Sequence, residues 1–405
     1  MHTFSDSLLS KKQNYFLSQP HQPFFVFGLL WAIVSMVLFT LSHKGIITLS
    51  LSENEFHLYT LSFLVFAQFF HGFLFTTFPR FCTAMAIPKE VYVRIVWLYQ
   101  IGGVLFIAGA FLSEWMVLFA MFSVLFAHSM AIFTLHWVYK IGQSPLKQDP
   151  YWILIAHAIT IAAHLFWIIA YGVNLIGGIH DWFSLITPII VNFFFIFLTF
   201  SVAQRMIPFF SHSQEPKSDH FVKIVFSALI VKTLFAMVAF TLGEALISTL
   251  LALYLFREFL RWKLHPFHSP AIVWILHLAL FWLPIGLFIG SLTQIAEMLY
   301  GISFLFAGTH LLVLGFLTTV LIGFGTRVTL GHSGQSPHAD NLSIALFWWT
   351  QLLVISRFAL SVDTALGSSH GWIFDATAFA WIVLFVVWGG RYGKTLIFGK
   401  PTRTH

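Results

Sequence analysis

The residues from Phe24 to Leu41 read FFVFGLLWAIVSMVLFTL, eighteen in a row without a charged side chain. A run of this length, coiled as an α-helix, is long enough to cross most of a hydrocarbon core of about 30 Å. Similar runs recur along a chain that is 58% hydrophobic and only 9% charged. Soluble domains carry about 25% charged residues, so much of this surface must face lipid. The pattern predicts an all-α, polytopic membrane protein.

Run length and turn signals predict about twelve transmembrane helices. The predicted spans are Phe24–Leu41, Leu58–Phe78, Val93–Leu112, Trp115–Tyr139, Tyr151–Tyr171, Trp182–Gln204, Phe221–Leu242, Glu244–Leu260, Ala271–Leu292, Ile302–Phe324, Leu342–Leu360 and Trp372–Trp388. A polar linker at 211–220 joins one six-helix half, 1–210, to a second, 221–405, and the two halves form one membrane domain. No small-residue cleavage pattern follows the first run, so we expect it to remain as a helix.

Lysine and arginine concentrate in alternate loops. Placing the N-terminus in the cytoplasm puts eighteen of the twenty-one on the inner side, which is the positive-inside pattern and predicts that both termini are cytoplasmic. The net charge of +6 is therefore spread over short loops instead of forming a basic domain. We expect the lipid bilayer to be the partner of this chain, and not nucleic acid.

Histidine is the recurring ionisable residue inside the predicted spans. Ionisable groups are costly in a bilayer and usually face a cavity, a partner or a cofactor. Neutral imidazole binds iron, copper and zinc, whereas the single cysteine, Cys82, excludes a disulfide and multi-cysteine metal sites. The alternative is that these histidines only form hydrogen bonds between helices. The candidates are His71, His128, His136, His157, His164, His277 and His310, with His57 at the outer end of the second span.

Two pairs of histidines share a helix. His157 and His164 are seven residues apart, and His128 and His136 are eight apart, so each pair lies on one face but too far apart along the axis to bind one metal. Each pair could supply ligands to two centres at different depths. Lys232 lies midway along its predicted span, where it could pair with a cofactor carboxylate such as a haem propionate or reach into a polar cavity.

Several stretches resemble the NnrS family of bacterial membrane proteins. The most specific are His310-Leu-Leu-Val-Leu-Gly315 and Thr326-Arg-Val-Thr-Leu-Gly-His-Ser-Gly334. The stretches 274–286, Gly72–Pro79 and Ala203–Phe210 are also similar to the family's patterns. One departure stands out, because members usually carry His-x-His-Glu near the start of the second helix. Here His57 is kept, but Tyr59 and Thr60 replace the second histidine and the glutamate.

The resemblance implies a haem- and copper-containing protein of the bacterial inner membrane that takes part in the response to nitric oxide. It implies His277 and His310 as the first choices for haem or copper ligands and His57 and His332 as the second. Arg327 is the candidate for pairing with a haem propionate. His71 falls where the family typically has a small apolar residue, and it joins the other histidines within the spans as a further candidate metal ligand.

Three function classes stay open at this point. The first is a haem- and copper-binding protein of nitrosative stress resistance. The second is a secondary transporter, since twelve helices in two halves also describe a common carrier architecture; the lack of acidic residues in mid-membrane counts against it. The third is a redox enzyme of the nitric oxide reductase or oxidase type, but the chain lacks the histidine doublet of that class. The residues specify neither whether the protein catalyses a reaction nor which electron donor it would use.

Overall fold

The computed structural model describes residues 15–178, 182–264, 266–368 and 370–399, and throughout these ranges the regular structure is helical, with no strand. The two chain ends, which carry part of the predicted cytoplasmic charge, lie outside the described residues. The long helices are α1 (His21–His43), α2 (Glu53–Cys82), α3 (Lys89–Leu112), α4 (Glu114–Ile141), α5 (Gln148–Leu175), α6 (Trp182–Phe210), α7 (Phe221–Met237), α8 (Thr241–Arg261), α9 (Ala271–Tyr300), α10 (Ala307–His332), α11 (Asn341–Ala365) and α12 (Gly371–Phe398).

Ten of these helices, all but α7 and α8, are long and apolar enough to cross a membrane. Helix α7 has 17 residues, and α8 carries Glu244 near its start and Arg257, Glu258 and Arg261 near its end. The predicted fold class, an all-α polytopic membrane protein, is confirmed. The crossing of the membrane by α7 and α8, and hence the count of twelve, stays a prediction.

Helix α10 differs most from its predicted bounds. It begins at Ala307 instead of Ile302 and continues through His332, so Arg327 and His332 lie on its last turns and not in a loop. The chain turns only afterwards, where Gly334 adopts a φ of 71°. The later start places His310 in the first turn of the helix, away from mid-membrane. Charged and turn-like residues at 326–334 concealed this extension, because an interfacial helix end tolerates them.

Three helices at the centre each contain a π-helical segment: Thr60–Phe66 in α2, Ile190–Phe197 in α6 and Leu311–Thr318 in α10. These are also the most enclosed of the ten spans. In the apolar 18-residue stretch of each, 89%, 78% and 89% of the residues are buried, respectively. Their phenylalanines pack together, as in the pairs Phe66–Phe195 at 5.3 Å and Phe73–Phe324 at 5.2 Å between ring centroids. The other helices surround this core and expose apolar side chains outward.

Helices α9 and α10 approach each other closely at two glycines. A Cβ added to Gly308 would lie 2.7 Å from the Cα of Gly290, so the main chains touch with no room for a side chain. Small residues at such crossings allow the van der Waals contact that holds helices together in lipid, where the hydrophobic effect between them is absent.

We therefore expect Gly308→Leu to force α9 and α10 apart and to cost about 1–3 kcal/mol of stability. The matched control is Gly393→Leu in α12, where an added Cβ meets nothing within 4 Å. Thermal unfolding in detergent would measure both variants. Equal midpoints for the two would show that the crossing does not depend on this glycine.

Candidate metal centre

Three histidines from three helices meet in the middle of the N-terminal helices. His71 of α2, His128 of α4 and His157 of α5 each offer a ring nitrogen, and these nitrogens all lie within 4.8 Å of one another. All three side chains have no solvent exposure. A separation of this size is close to that between ligand atoms around a single metal ion, since metal–imidazole bonds are about 2.0–2.1 Å long for zinc.

Hydrogen bonds occupy only the outer nitrogens of two of these rings. The hydroxyl of Tyr99 lies 3.3 Å from Nδ1 of His71, and Nδ1 of His164 lies 3.3 Å from Nδ1 of His128. The Nε2 atoms of His71 and His128, and both ring nitrogens of His157, have no hydrogen-bond partner among the described residues. Leaving a buried polar atom unpaired costs about 1–3 kcal/mol. A metal ion bound by these nitrogens removes that cost.

A second layer of groups fixes the protonation of the cluster. When a metal takes the lone pair on Nε2 of His128, the proton of that ring must sit on Nδ1 and is donated to Nδ1 of His164. His164 then carries its own proton on Nε2, which lies 3.0 Å from the hydroxyl oxygen of Tyr59. Groups of this kind orient metal ligands and raise their basicity. Tyr59, which replaces a histidine of the family pattern, therefore supports the cluster through His164.

The surroundings of the cluster are apolar. The ring of Phe63 stacks on His164 with 3.7 Å between centroids, and Phe194 of the α6 π segment lies 5.9 Å from His128. No carboxylate belongs to the cluster in the part of the chain that the structure describes. Three neutral imidazoles in a dry site suit copper, zinc or iron. Because the imidazoles are uncharged, they would not neutralise the charge of the ion.

The cluster was only partly visible in the sequence. His71, His128, His157 and His164 were further candidates, because pairs on one helix are too far apart to share a metal. The structure brings single histidines from three helices together, which spacing along one helix does not reveal. His136, by contrast, is exposed on the outside of α4 and lies outside the cluster.

A second group lies where α2 and α10 begin, at the end of the helices that is predicted to face outward. His57 of α2 and His310 of α10 are close enough to interact electrostatically with each other and with Arg357 of α11. Nδ1 of His310 lies 3.0 Å from the main-chain oxygen of Phe306. The Arg357 guanidinium donates to the main-chain oxygen of Leu305 at 2.7 Å. Two predicted ligands from different helices thus lie in the same region of the structure.

The remaining predicted ligands lie at the opposite end. Nε2 of His277 is 2.6 Å from the Ser211 hydroxyl. The ring of His332 lies 4.9 Å from that of His21, and Arg327 stacks on Phe210 with 3.9 Å between the guanidinium carbon and the ring centroid. His277 and His310, the two first choices, therefore stand at opposite ends of adjacent antiparallel helices. A centre that uses one of them does not use the other.

Lys232 has a protein partner. Its ammonium group forms an ion pair with Glu244 of α8, and their side chains are 14% and 12% exposed. The pair lines a polar cavity of about 340 Å³, together with Asn192 of the α6 π segment, Ser291 and Gln294. The sequence allowed two roles for Lys232, pairing with a cofactor carboxylate or contact with a polar cavity. The geometry matches contact with the cavity, and the carboxylate that pairs with Lys232 is that of Glu244.

Fold and site together define a polytopic α-helical membrane protein with a buried histidine cluster suited to a metal ion. A family model described as NnrS protein matches residues 15–398, nearly the whole chain. The chain therefore belongs to the NnrS family, and the resemblance seen in its sequence is confirmed. No curated protein matches it in a sequence comparison.

Breaking the Lys232–Glu244 pair is expected to destabilise the protein. Lys232→Met leaves Glu244 without its cation in a poorly hydrated site, at a cost of about 3 kcal/mol. The double variant Lys232→Met/Glu244→Met should recover most of this loss. Lys223→Met, on an exposed position of the same helix, is the control. Unfolding free energies in mixed micelles would measure the series, and a double variant as unstable as the single one would contradict a direct pair.

Proposed function

We propose that this protein holds copper at His71, His128 and His157 and haem at His57 and His310, and that it binds nitric oxide as part of the bacterial response to that gas. It works in the inner membrane with both termini in the cytoplasm. The observation that carries the proposal is the convergence of three buried histidines whose inward nitrogens lack hydrogen-bond partners in the described chain.

The chain's own residues determine how copper is held. His71 and His128 present Nε2 inward, because Tyr99 and His164 occupy their Nδ1 atoms. His157, with both nitrogens unpaired, completes a three-ligand set. Phe63 and Phe194 exclude water from this side of the site. Copper held by these three imidazoles would supply a metal able to bind a small diatomic ligand.

The outer pair, His57 and His310, is the proposed haem site. Donation from Nδ1 of His310 to the oxygen of Phe306 leaves Nε2 as the unprotonated nitrogen that can bind iron. His57 approaches from a different helix. Arg357 keeps guanidinium donors beyond its two hydrogen bonds, to Ser361 and Leu305, and these can pair with a propionate. Haem supplies an iron that binds nitric oxide when the group is present.

The intramembrane location suits the ligand. Nitric oxide is small and uncharged, so it needs no polar path and can reach a site walled by phenylalanine directly from the lipid. Nothing in this step requires turnover; binding alone accounts for sensing or scavenging.

The polar cavity beside Lys232 supports a second candidate, a secondary transporter. A charged pair next to a π segment, near the point where two helices begin, resembles the midplane sites of carriers. The two candidates differ in one simple property. A transporter has no need of copper or haem, so a colourless purified protein without metal would favour it.

The copper assignment predicts that His128→Ala abolishes copper binding. The wild-type chain, purified from copper-supplemented cells, should contain about one copper per molecule by mass-spectrometric metal analysis, and the variant close to none, since two imidazoles hold the ion far more weakly than three. The control is His136→Ala, which removes an exposed histidine eight residues further along the same helix. Equal copper loss in both variants, or in neither, would refute the site.

The haem assignment predicts that His310→Ala and His57→Ala each lower haem content sharply, because each removes one of the two imidazoles that would hold the haem iron. Pyridine haemochrome spectra of purified protein give the measurement. His370→Ala, which removes another outer-end histidine, paired with Asp363, should leave haem unchanged. Copper content should stay the same in all three variants, and normal haem in His310→Ala would rule out this pair as the binding site.

A further inference from the structure

A second large pocket lies at the end of the molecule where α2, α6 and α10 terminate, here called the inner-end pocket. It measures about 760 Å³, within the range of small-molecule sites. Its walls are apolar and aromatic, and its basic side chains are Arg80, Arg205, Arg327 and His332. None of these residues belongs to the histidine cluster or to the outer pair.

The protein balances only part of the positive charge of this pocket. Arg205 pairs with Asp149 at 3.0 Å. The Arg327 guanidinium lies over the ring of Phe210, and Arg80 is exposed. Within the described ranges neither arginine forms an ion pair with a carboxylate. The described lining contains no acidic side chain. Two arginines are thus available for an anion.

The apolar part of the pocket continues into the membrane. Phe73 and Phe324, which form part of its wall, also line a narrow crevice between α2, α6 and α10. Phe69, Leu317 and Leu321 extend that crevice, which measures about 40 Å³. A ligand that fills both parts has a negatively charged head and a slender hydrocarbon tail.

Three of the stretches that resemble the family patterns meet at this pocket. Gly72–Pro79 contributes Phe73 and Thr77, Ala203–Phe210 contributes Arg205 and Phe209, and 326–334 contributes Arg327 and His332. The copper and haem assignments use none of these lining residues.

We propose that the inner-end pocket binds an anionic phospholipid from the adjacent leaflet. Arg80 and Arg327 hold the phosphate, and the start of one acyl chain lies along Phe73 and Phe324. Basic pockets between transmembrane helices on the cytoplasmic side recognise anionic headgroups in this way, and the guanidinium fork matches a phosphate in geometry as well as charge. The lipid joins the ends of the three π-containing helices, whose packing it stabilises.

The test uses the full-length protein in detergent, titrated with phosphatidylglycerol and phosphatidylcholine of identical chains and read by native mass spectrometry. The wild type should retain one phosphatidylglycerol in preference to phosphatidylcholine. Arg80→Gln and Arg327→Gln should each weaken that retention about fivefold. Arg94→Gln removes an exposed charge outside the pocket lining and should leave it unchanged.

A second variant tests the space without changing charge. The Cβ of a side chain added at Gly331, which lines the pocket, meets no atom within 4 Å, so Gly331→Trp adds bulk at the pocket without changing its charge. It should also reduce lipid retention. Glycerol 3-phosphate should fail to displace the lipid at equal concentration, because it lacks the tail.

Three outcomes would overturn the proposal. One is equal retention of the two lipids by the wild type, and another is displacement by glycerol 3-phosphate as effective as by lipid. The third is loss of haem, with unchanged lipid retention, in Arg327→Gln, which would assign the pocket to haem. The first two outcomes do not depend on the copper or haem content of the wild type, so failure of this proposal and failure of the proposed function can be told apart.

Discussion

Inside a bilayer a polar atom has no water with which to form a hydrogen bond, and this constraint governs the arrangement of the molecule. Main-chain groups meet it by coiling into helices, and serine and threonine hydroxyls meet it by donating to carbonyls four or five residues back, as Thr318 does to Val313. Imidazole is harder to satisfy, since each ring carries two nitrogens. At His71, His128 and His157 the protein supplies partners for the outer nitrogens of two rings and for none of the inward ones. A shared metal satisfies them at once.

The π segment of α2 explains how the cluster acquires its supporting groups. Tyr59 and His71 are twelve residues apart, which in a regular α-helix of 3.6 residues per turn would separate them by about a third of a turn. One residue absorbed into a π bulge makes the effective spacing eleven, or about 20°. Both side chains then face the helices that carry His128 and His164. The bulge between them, at Thr60–Phe66, is what brings Tyr59 over the cluster.

Much of the fold was predictable because the dominant signal, apolar run length, is local. Each of the twelve predicted spans coincides with a helix, and the errors lie at ends such as that of α10. The candidate site was less accessible. The sequence marked the right residue type, and four of its histidines form or support the cluster, but a regular helical period places Tyr59 on another face and offers no way to join α2, α4 and α5. The partner of Lys232 was hidden for the same reason, since Glu244 stands on the next helix.

The chain of contacts from His128 through His164 to Tyr59 has a consequence for the empty and loaded forms. Without a metal, each imidazole can carry its proton on either nitrogen, and the hydrogen bonds can run in either direction. A metal bound to Nε2 of His128 would leave one arrangement, in which the protons of His128 and His164 both point along the chain toward the oxygen of Tyr59. Metal binding would therefore also fix the proton positions. Several alternative arrangements would become one, and the hydroxyl hydrogen of Tyr59 would point away from His164.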